Sequence, residues 1–434
     1  MIPSVSRRQW FRNVTAGMTG PLASERLLCG AQAPTPASRA LVDPRSAIKI
    51  TRIEIIPGNT LRTIFVKLHT DGGIIGIGEW TVVGRIGTVV AAIKELEAYL
   101  IGKDPRQPAH HWQAIYRQAF YRGDIVLTSA LSAVDIAMWD IKGRALGVPV
   151  YELLGGPTRD RIRVYGQAES AQAARRVMAE GYTSMKTSVT DSRGRPSRYS
   201  ENPDFIDGFV EKVAAIREVL GPKFDLGIEM HADHPPQVAM VIIKALEKFQ
   251  PWFFEEPIQH QNLPLMADMA KKTHIPFATG ERLVTKWQFR DVLNLGAAQF
   301  LQPDITHCGG ITELKAIATL AEAYYAAMLP HSREGIVGTV ASMHVCATIP
   351  NFLAHELPSL QAAPNDGVAR SYLGLSYIKK PLTMTAGHVV IKGNFDGPGL
   401  GIELDDNLIE NERNAPEWEF PTRSDSFDGS VLDH

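Results

Sequence analysis

The sequence predicts an α/β fold, a (β/α)8 barrel of the TIM type with an N-terminal α+β capping domain. Two observations carry that expectation. From Arg161 onward, short apolar runs alternate with helix-length segments through eight units, as in a parallel barrel. Three of the runs end on a glutamate, and Glu229, Glu255 and Glu281 are separated by a constant 26 residues. A strand, a helix and their loops occupy about that length in a parallel α/β fold, so the three carboxylates fall at one end of the barrel. Oxygen-only ligands gathered there suit Mg²⁺, a hard cation.

At 434 residues the chain is long enough for two domains, or for one barrel with an attachment. A net charge of −2 and the lack of a long basic block argue against a nucleic-acid surface. No apolar run reaches the length of a membrane span. Cys29, Cys308 and Cys346 stand at unrelated spacings, which excludes a disulfide framework or a thiolate metal site. At the N-terminus, Ser6-Arg7-Arg8-Gln9-Trp10-Phe11 looks like a twin-arginine export signal, with small residues at Gly30-Ala-Gln-Ala33. Thr, Gly and Pro interrupt the stretch between, so a disordered polar arm is the alternative. Export to the periplasm is the expectation from the signal, and a cytoplasmic protein from the arm. Residues 1–45 are expected outside the fold either way.

The elements then follow in order. Ile48 to Ile56 and Leu61 to Leu68 read as strands, and Asp71-Gly72-Gly73 turns the second into Ile74 to Glu79. Val89, Ile93, Leu96 and Leu100 recur with helical spacing. Leu131, Val134, Met138 and Ile141 mark another amphipathic helix, ending near Gly147 before Pro149. These make a cap over residues 47–155. Barrel strands are expected at Ile162–Tyr165, Ser184–Val189, Leu226–Met230, Trp252–Glu255, Phe277–Thr279, Gln299–Gln302, Ala327–Leu329 and Phe352–Ala354, within a barrel spanning 160–365. The polar stretch Thr190 to Pro203 is long for a βα loop and is either a lid or a surface insertion. Residues 366–434 form a C-terminal segment expected to return to the cap, through Leu382–Ile391 and Gly397-Pro-Gly-Leu-Gly401.

The series of strand ends continues past the glutamates with Gln302-Pro303-Asp304, Pro330-His331-Ser332 and His355-Glu356. Asp304 and His331 therefore fall on adjacent strand ends, where a carboxylate bonded to a histidine orients the ring and makes it a better base. Lys186 lies in the second strand. His231 follows Glu229 by two residues, and residues two apart on a strand share a face, so both can point into the mouth.

At these residues the sequence resembles the enolase superfamily, its mandelate racemase subgroup, and within that the acid-sugar dehydratase branch. The resemblance covers about residues 47–434. It includes Phe120-Tyr-Arg-Gly123, Ala133-Val-Asp-Ile-Ala-Met-Trp-Asp-Ile-Lys142, Tyr151-Glu-Leu-Leu-Gly-Gly156, Asp396-Gly-Pro-Gly-Leu-Gly401 and the tail Asp428-Gly-Ser430. It implies a lyase that dehydrates a small sugar acid, a galactonate-like hexonate or a pentonate, to a 2-keto-3-deoxy acid. Glu229, Glu255 and Glu281 match the metal ligands of such enzymes, with Mg²⁺ as cofactor. Asp304 and His331 match the general-base dyad, and His231 the general acid. Glu356 matches the acid that bonds the substrate carboxylate, and Lys186 a residue that helps neutralise it. The expected partner is a small-molecule sugar acid, and the expected assembly a homo-oligomer.

Two positions depart from the pattern. The first ligand is usually Asp but here is Glu229, and the racemase-type lysine two residues after Lys186 is Ser188. One base and a second histidine favour elimination. A racemase or epimerase of a 2-hydroxy acid is the alternative reaction, and a non-catalytic sugar-acid binding protein the alternative class. A lone buried acid or histidine is more often structural, so the joint spacing carries the assignment. Glu256 reads as a supporting acid, His355 as either a substrate contact or a core residue, His110-His111 as surface, and Cys308 as lacking a base. Specificity is expected from cap loops such as Pro57–Thr60 and Trp80–Arg85.

Overall fold

The computed structural model describes residues 47–58, 63–80, 84–190, 203–332, 335–358, 377–407 and 431. The twin-arginine-like stretch, residues 191–202 of the polar loop and Asp428-Gly-Ser430 lie outside them, as do residues 59–60 and 81–83 of the two cap loops.

An antiparallel sheet in the order β1 (Ile50–Gly58), β2 (Thr63–Thr70), β3 (Ile75–Trp80) comes first. Helices α1 (Ile86–Leu100), α2 (Pro108–Gln118), α3 (Ile125–Leu146) and the single turn α4 (Val150–Leu153) follow. Asp124 caps α3, accepting the N–H groups of Val126 and Leu127. Gly147 ends it at φ 71°, where a side chain would be strained. α3 is buried along most of its 22 residues because β3, the cap helices α1 and α2, and the barrel helix Gly310–Ala323 all pack against it. Its approach to β3 is close: a Cβ on Gly78 would stand 2.0 Å from the Ala133 carbonyl oxygen.

The barrel strands are β4 (Arg161–Gln167), β5 (Ser184–Ser188), β6 (Asp225–Glu229), β7 (Phe254–Glu255), β8 (Phe277–Thr279), β9 (Phe300–Leu301), β10 (Ala327–Met328) and β11 (His355–Glu356). Each pairs in parallel with the next from β4 to β10, and β11 pairs with β4. The bridge Met328↔Phe352 joins β10 to the chain leading into β11 and completes the ring. The eighth strand thus lies at His355–Glu356 rather than Phe352–Ala354. Phe352 makes one bridge to β10 while the ladder to β4 forms three residues later.

Helices α5 (Ala171–Ala179), α6 (Pro203–Leu220), α7 (Pro236–Leu246), α8 (Leu263–Ala270), α9 (Thr285–Leu295), α10 (Gly310–Ala323) and α11 (Ile336–Cys346) alternate with the strands. Inside the ring, Tyr165, Phe253, Ala278, Leu329 and Ala354 form a separate apolar cluster, with Trp252 and Phe300 packed against it. β12 (His388–Val390) lies antiparallel to β4. Beyond it, Leu400 N–H donates to Asp140 of α3 at 2.8 Å.

His111 is buried rather than at the surface. Its Nδ1 lies 2.9 Å from the Tyr99 hydroxyl and its Nε2 2.8 Å from the Asp104 carbonyl, so partners outside its own helix hold it. His110 is exposed.

Candidate active site

Parallel pairing sets the first layer of the site. Ser188 pairs with Glu229 and Glu229 with Glu255, so neighbouring strands end level with one another. Glu281, Asp304 and His331 then stand just past β8, β9 and β10, and Glu356 ends β11. One oxygen from each of Glu229, Glu255 and Glu281 can be chosen so that all lie within 4.8 Å of one another.

Lys186 is the buried cation of this cluster. Its Nζ lies 3.0 Å from Glu229, 2.8 Å from Glu255 and 3.1 Å from Glu356. Burial pulls the ammonium down, and the three carboxylates outweigh it and hold the pKa well above the usual lysine value. One lysine does not balance three acids. Burial first, then Glu229, push the Glu255 carboxyl well above its ordinary range, and its Oε2 is buried without a hydrogen-bond partner. Three oxygen donors, an excess of negative charge and an unpartnered carboxylate oxygen together fit a divalent hard cation. Glu229, despite its extra methylene, stays in the set. Its Oε2 takes Lys186 and its Oε1 accepts the His231 N–H at 2.7 Å.

His331 Nδ1 lies 2.8 Å from Asp304 Oδ2. Asp304 also accepts the Thr306 N–H and hydroxyl at 2.7 and 2.6 Å. Burial raises its carboxyl, but His307 and His331 prevail and bring it to about 2. A carboxylate bonded to Nδ1 requires a proton there, which leaves Nε2 as the nitrogen that can exchange one. That atom lies 3.3 Å from Glu281 and 3.7 Å from Glu356. Burial depresses the imidazole, and Glu281 and Glu356 outweigh it, raising it well above the ordinary histidine value.

His231 reaches the mouth by a different route from the one expected. β6 ends at Glu229, and His231 and Ala232 follow in left-handed conformation at φ 49° and 55°. The side chain arrives from a tight turn, and strand alternation plays no part. Its Nε2 stands 3.9 Å from Glu281. Burial lowers its pKa, and Asp233 and Glu281 more than compensate.

Arg282, which the spacing of strand ends did not single out, organises this side. It lies 3.0 Å from Glu256, donates to the His231 carbonyl at 3.1 Å, and stands 3.2 Å from His231 Nδ1. Its place directly after Glu281 was the available signal. Glu256 is thus a supporting acid, and burial, then Glu281, push its carboxyl up to about 8. The Ser332 N–H donates to Glu356 at 3.2 Å, a backbone contact that residue type does not signal. His355 is wholly buried, with Nδ1 2.6 Å from the Glu356 carbonyl, and burial lowers its imidazole to about 4, the state of a core histidine. Cys308 is buried with its thiol pushed well up by burial, so it offers no thiolate.

Residues 40–155 match the mandelate racemase / muconate lactonizing enzyme N-terminal domain, and residues 169–408 the enolase C-terminal domain-like family. A D-galactonate dehydratase of Pectobacterium atrosepticum is 37% identical over 382 residues, 86% of this chain and 96% of the relative. A D-galactonate dehydratase of Ralstonia nicotianae is 38% identical over 383 residues, with the same coverage. Among solved structures, an enolase of Agrobacterium radiobacter holding sodium and L-malate superposes with a TM-score of 0.79. It is 29% identical, over 88% of this chain and 99% of that one. A member of the enolase superfamily from Salmonella Typhimurium gives 0.77 at 30% identity, covering 84% of this chain and 98% of that one.

Proposed function

The chain belongs to the mandelate racemase / muconate lactonizing enzyme family of the enolase superfamily, and from that premise we propose that it dehydrates a sugar acid, D-galactonate or a close hexonate or pentonate, with Mg²⁺ as the cation. The observation that carries the reaction type is the pair of histidines on either side of Glu281. His331 Nε2 approaches one of its oxygens at 3.3 Å and His231 Nε2 the other at 3.9 Å. A base and an acid that flank one carboxylate can serve two adjacent substrate carbons, as elimination requires.

Glu229, Glu255 and Glu281 would hold the cation. When bound, it supplies positive charge that offsets the second negative charge an enediolate carries. His331, held by Asp304, takes the proton from the carbon next to the carboxylate, and the C–H electron pair becomes the enediolate double bond. Lys186 and Glu356 bind the carboxylate where that charge builds. The enediolate then expels the β-hydroxyl, which takes a proton from His231 and leaves as water. The remaining enol tautomerises to the 2-keto-3-deoxy acid. Ser188 supplies no second base, which favours elimination over racemisation.

A library of hexonates and pentonates, D-galactonate first, incubated with and without Mg²⁺ and followed by a keto-acid assay, tests this. Keto acid is expected from at least one member, dependent on the cation. Racemised or epimerised acid without keto acid would replace dehydration with isomerisation, and binding without turnover would make the protein a receptor.

A further inference from the structure

Resting on the reading that the substrate is a polyhydroxylated acid, we propose that Gln167 accepts a hydrogen bond from one of its hydroxyls and so helps to choose the substrate. Gln167 ends β4, two residues beyond Tyr165, and residues two apart on a strand share a face. Tyr165 belongs to the apolar cluster inside the ring, so Gln167 faces the interior one step nearer the mouth. It pairs with Lys186 on one flank, while β11, which carries Glu356, runs along the other. The two groups assigned to the substrate carboxylate therefore stand on its neighbouring strands.

The orientation of its carboxamide is fixed by chemistry. The Gln167 Nε2 donates to Glu169 at 3.0 Å and lies 3.4 Å from the Ser188 hydroxyl. Glu169 also accepts the Ser188 hydroxyl at 2.9 Å and its N–H at 3.2 Å, and pairs with Lys212. Burial raises the Glu169 carboxyl, but Lys212 prevails and keeps it below its ordinary range. An ionised carboxylate only accepts, so turning the amide over would set oxygen against oxygen. The Oε1 atom is therefore the free end. Gln167 is only 4% exposed, and that oxygen is buried without a hydrogen-bond partner. Buried acceptors in folded proteins are nearly always satisfied, so this one calls for a bound donor. With Lys186 and Glu356 matched to the carboxylate, hydroxyls are the donors a sugar acid has left to offer.

Binding is measured by calorimetry on His331→Asn protein, in which turnover is stopped, with D-galactonate and its 2-, 3-, 4-, 5- and 6-deoxy derivatives. One derivative is expected to bind about 10- to 100-fold more weakly than D-galactonate, the usual cost of an unmet buried polar group. Adding Gln167→Ala, or Gln167→Met to keep the volume, should weaken D-galactonate by that factor and abolish the discrimination. A uniform loss across all six ligands, no change in any, or failure of all six to bind would overturn the proposal, leaving the oxygen to an ordered water. Failure of the dehydration reading shows separately, as an absence of keto acid from the wild-type protein, because the binding series needs no turnover.

Discussion

His331 Nδ1 lies 2.8 Å from Asp304 Oδ2, and the two residues belong to neighbouring strand ends 27 positions apart. The carboxylate fixes which nitrogen carries the proton and which one faces the mouth. Asp304→Asn removes the charge and no longer demands that tautomer. A fall in kcat of about 10²–10⁴-fold is expected, the size of a general-base contribution, with KM little changed. Steady-state kinetics beside a melting curve checks it. An unchanged kcat would show that His331 needs no orienting partner.

The cation claim is testable without activity. A cation held by the three glutamates would bind the folded state only, so Mg²⁺ should raise the melting temperature of the wild-type protein, and EDTA should reverse the rise. Glu255→Gln removes the carboxylate whose Oε2 has no partner, and should lose both the Mg²⁺-dependent rise and turnover. A full shift in that variant would place the cation elsewhere.

The buried His344 ties three parts of the chain together. Its Nδ1 accepts the Tyr151 N–H at 3.1 Å and its Nε2–H donates to the Leu400 carbonyl at 3.1 Å. Burial pushes the imidazole from 6.5 down to about 4. The folded pKa is the lower one, so the unfolded chain binds more protons between those values and stability falls as pH drops below 6.5. The share of the loss between pH 7 and pH 5 that His344 carries should be roughly 2 kcal/mol. His344→Gln keeps an acceptor and a donor but does not titrate. Urea unfolding at both pH values should show a smaller loss in the variant, and equal losses would remove His344 as the cause.

The aromatic plug inside the ring supplies a stability prediction. Phe253 is fully buried among Tyr165, Trp252 and Phe300. Phe253→Ala should cost about 3–5 kcal/mol in urea unfolding, from lost transfer energy and the cavity left behind. A cost below about 1 kcal/mol would mean that the neighbours close the gap.

Glu229, Glu255, Glu281, Asp304, His331 and Glu356 were legible because a parallel barrel repeats with a fixed length, and a residue type recurring at that length marks one end. The same logic failed where local geometry replaces the repeat. Strand alternation predicts that His231 faces the mouth, yet it arrives from a left-handed turn that no period of two describes. The apolar run Phe352–Ala354 predicts the eighth strand three residues early, whereas the ladder with β4 forms at the polar pair His355–Glu356. His111 looked exposed beside His110, because its partners Tyr99 and Asp104 lie outside its own helix. Arg282 and Gln167 act through contacts between strand ends, which sequence spacing does not encode.

The most direct measurement follows α-carbon exchange and keto-acid formation together in deuterated solvent. His331→Asn removes the base, so exchange and product should both vanish. His231→Asn leaves the base and the three ligands in place, so exchange should persist while elimination slows by about 10²–10⁴-fold, the usual share of a general acid. Keto acid formed at the wild-type rate by His231→Asn, or exchange surviving in His331→Asn, would contradict the assignment of these two histidines.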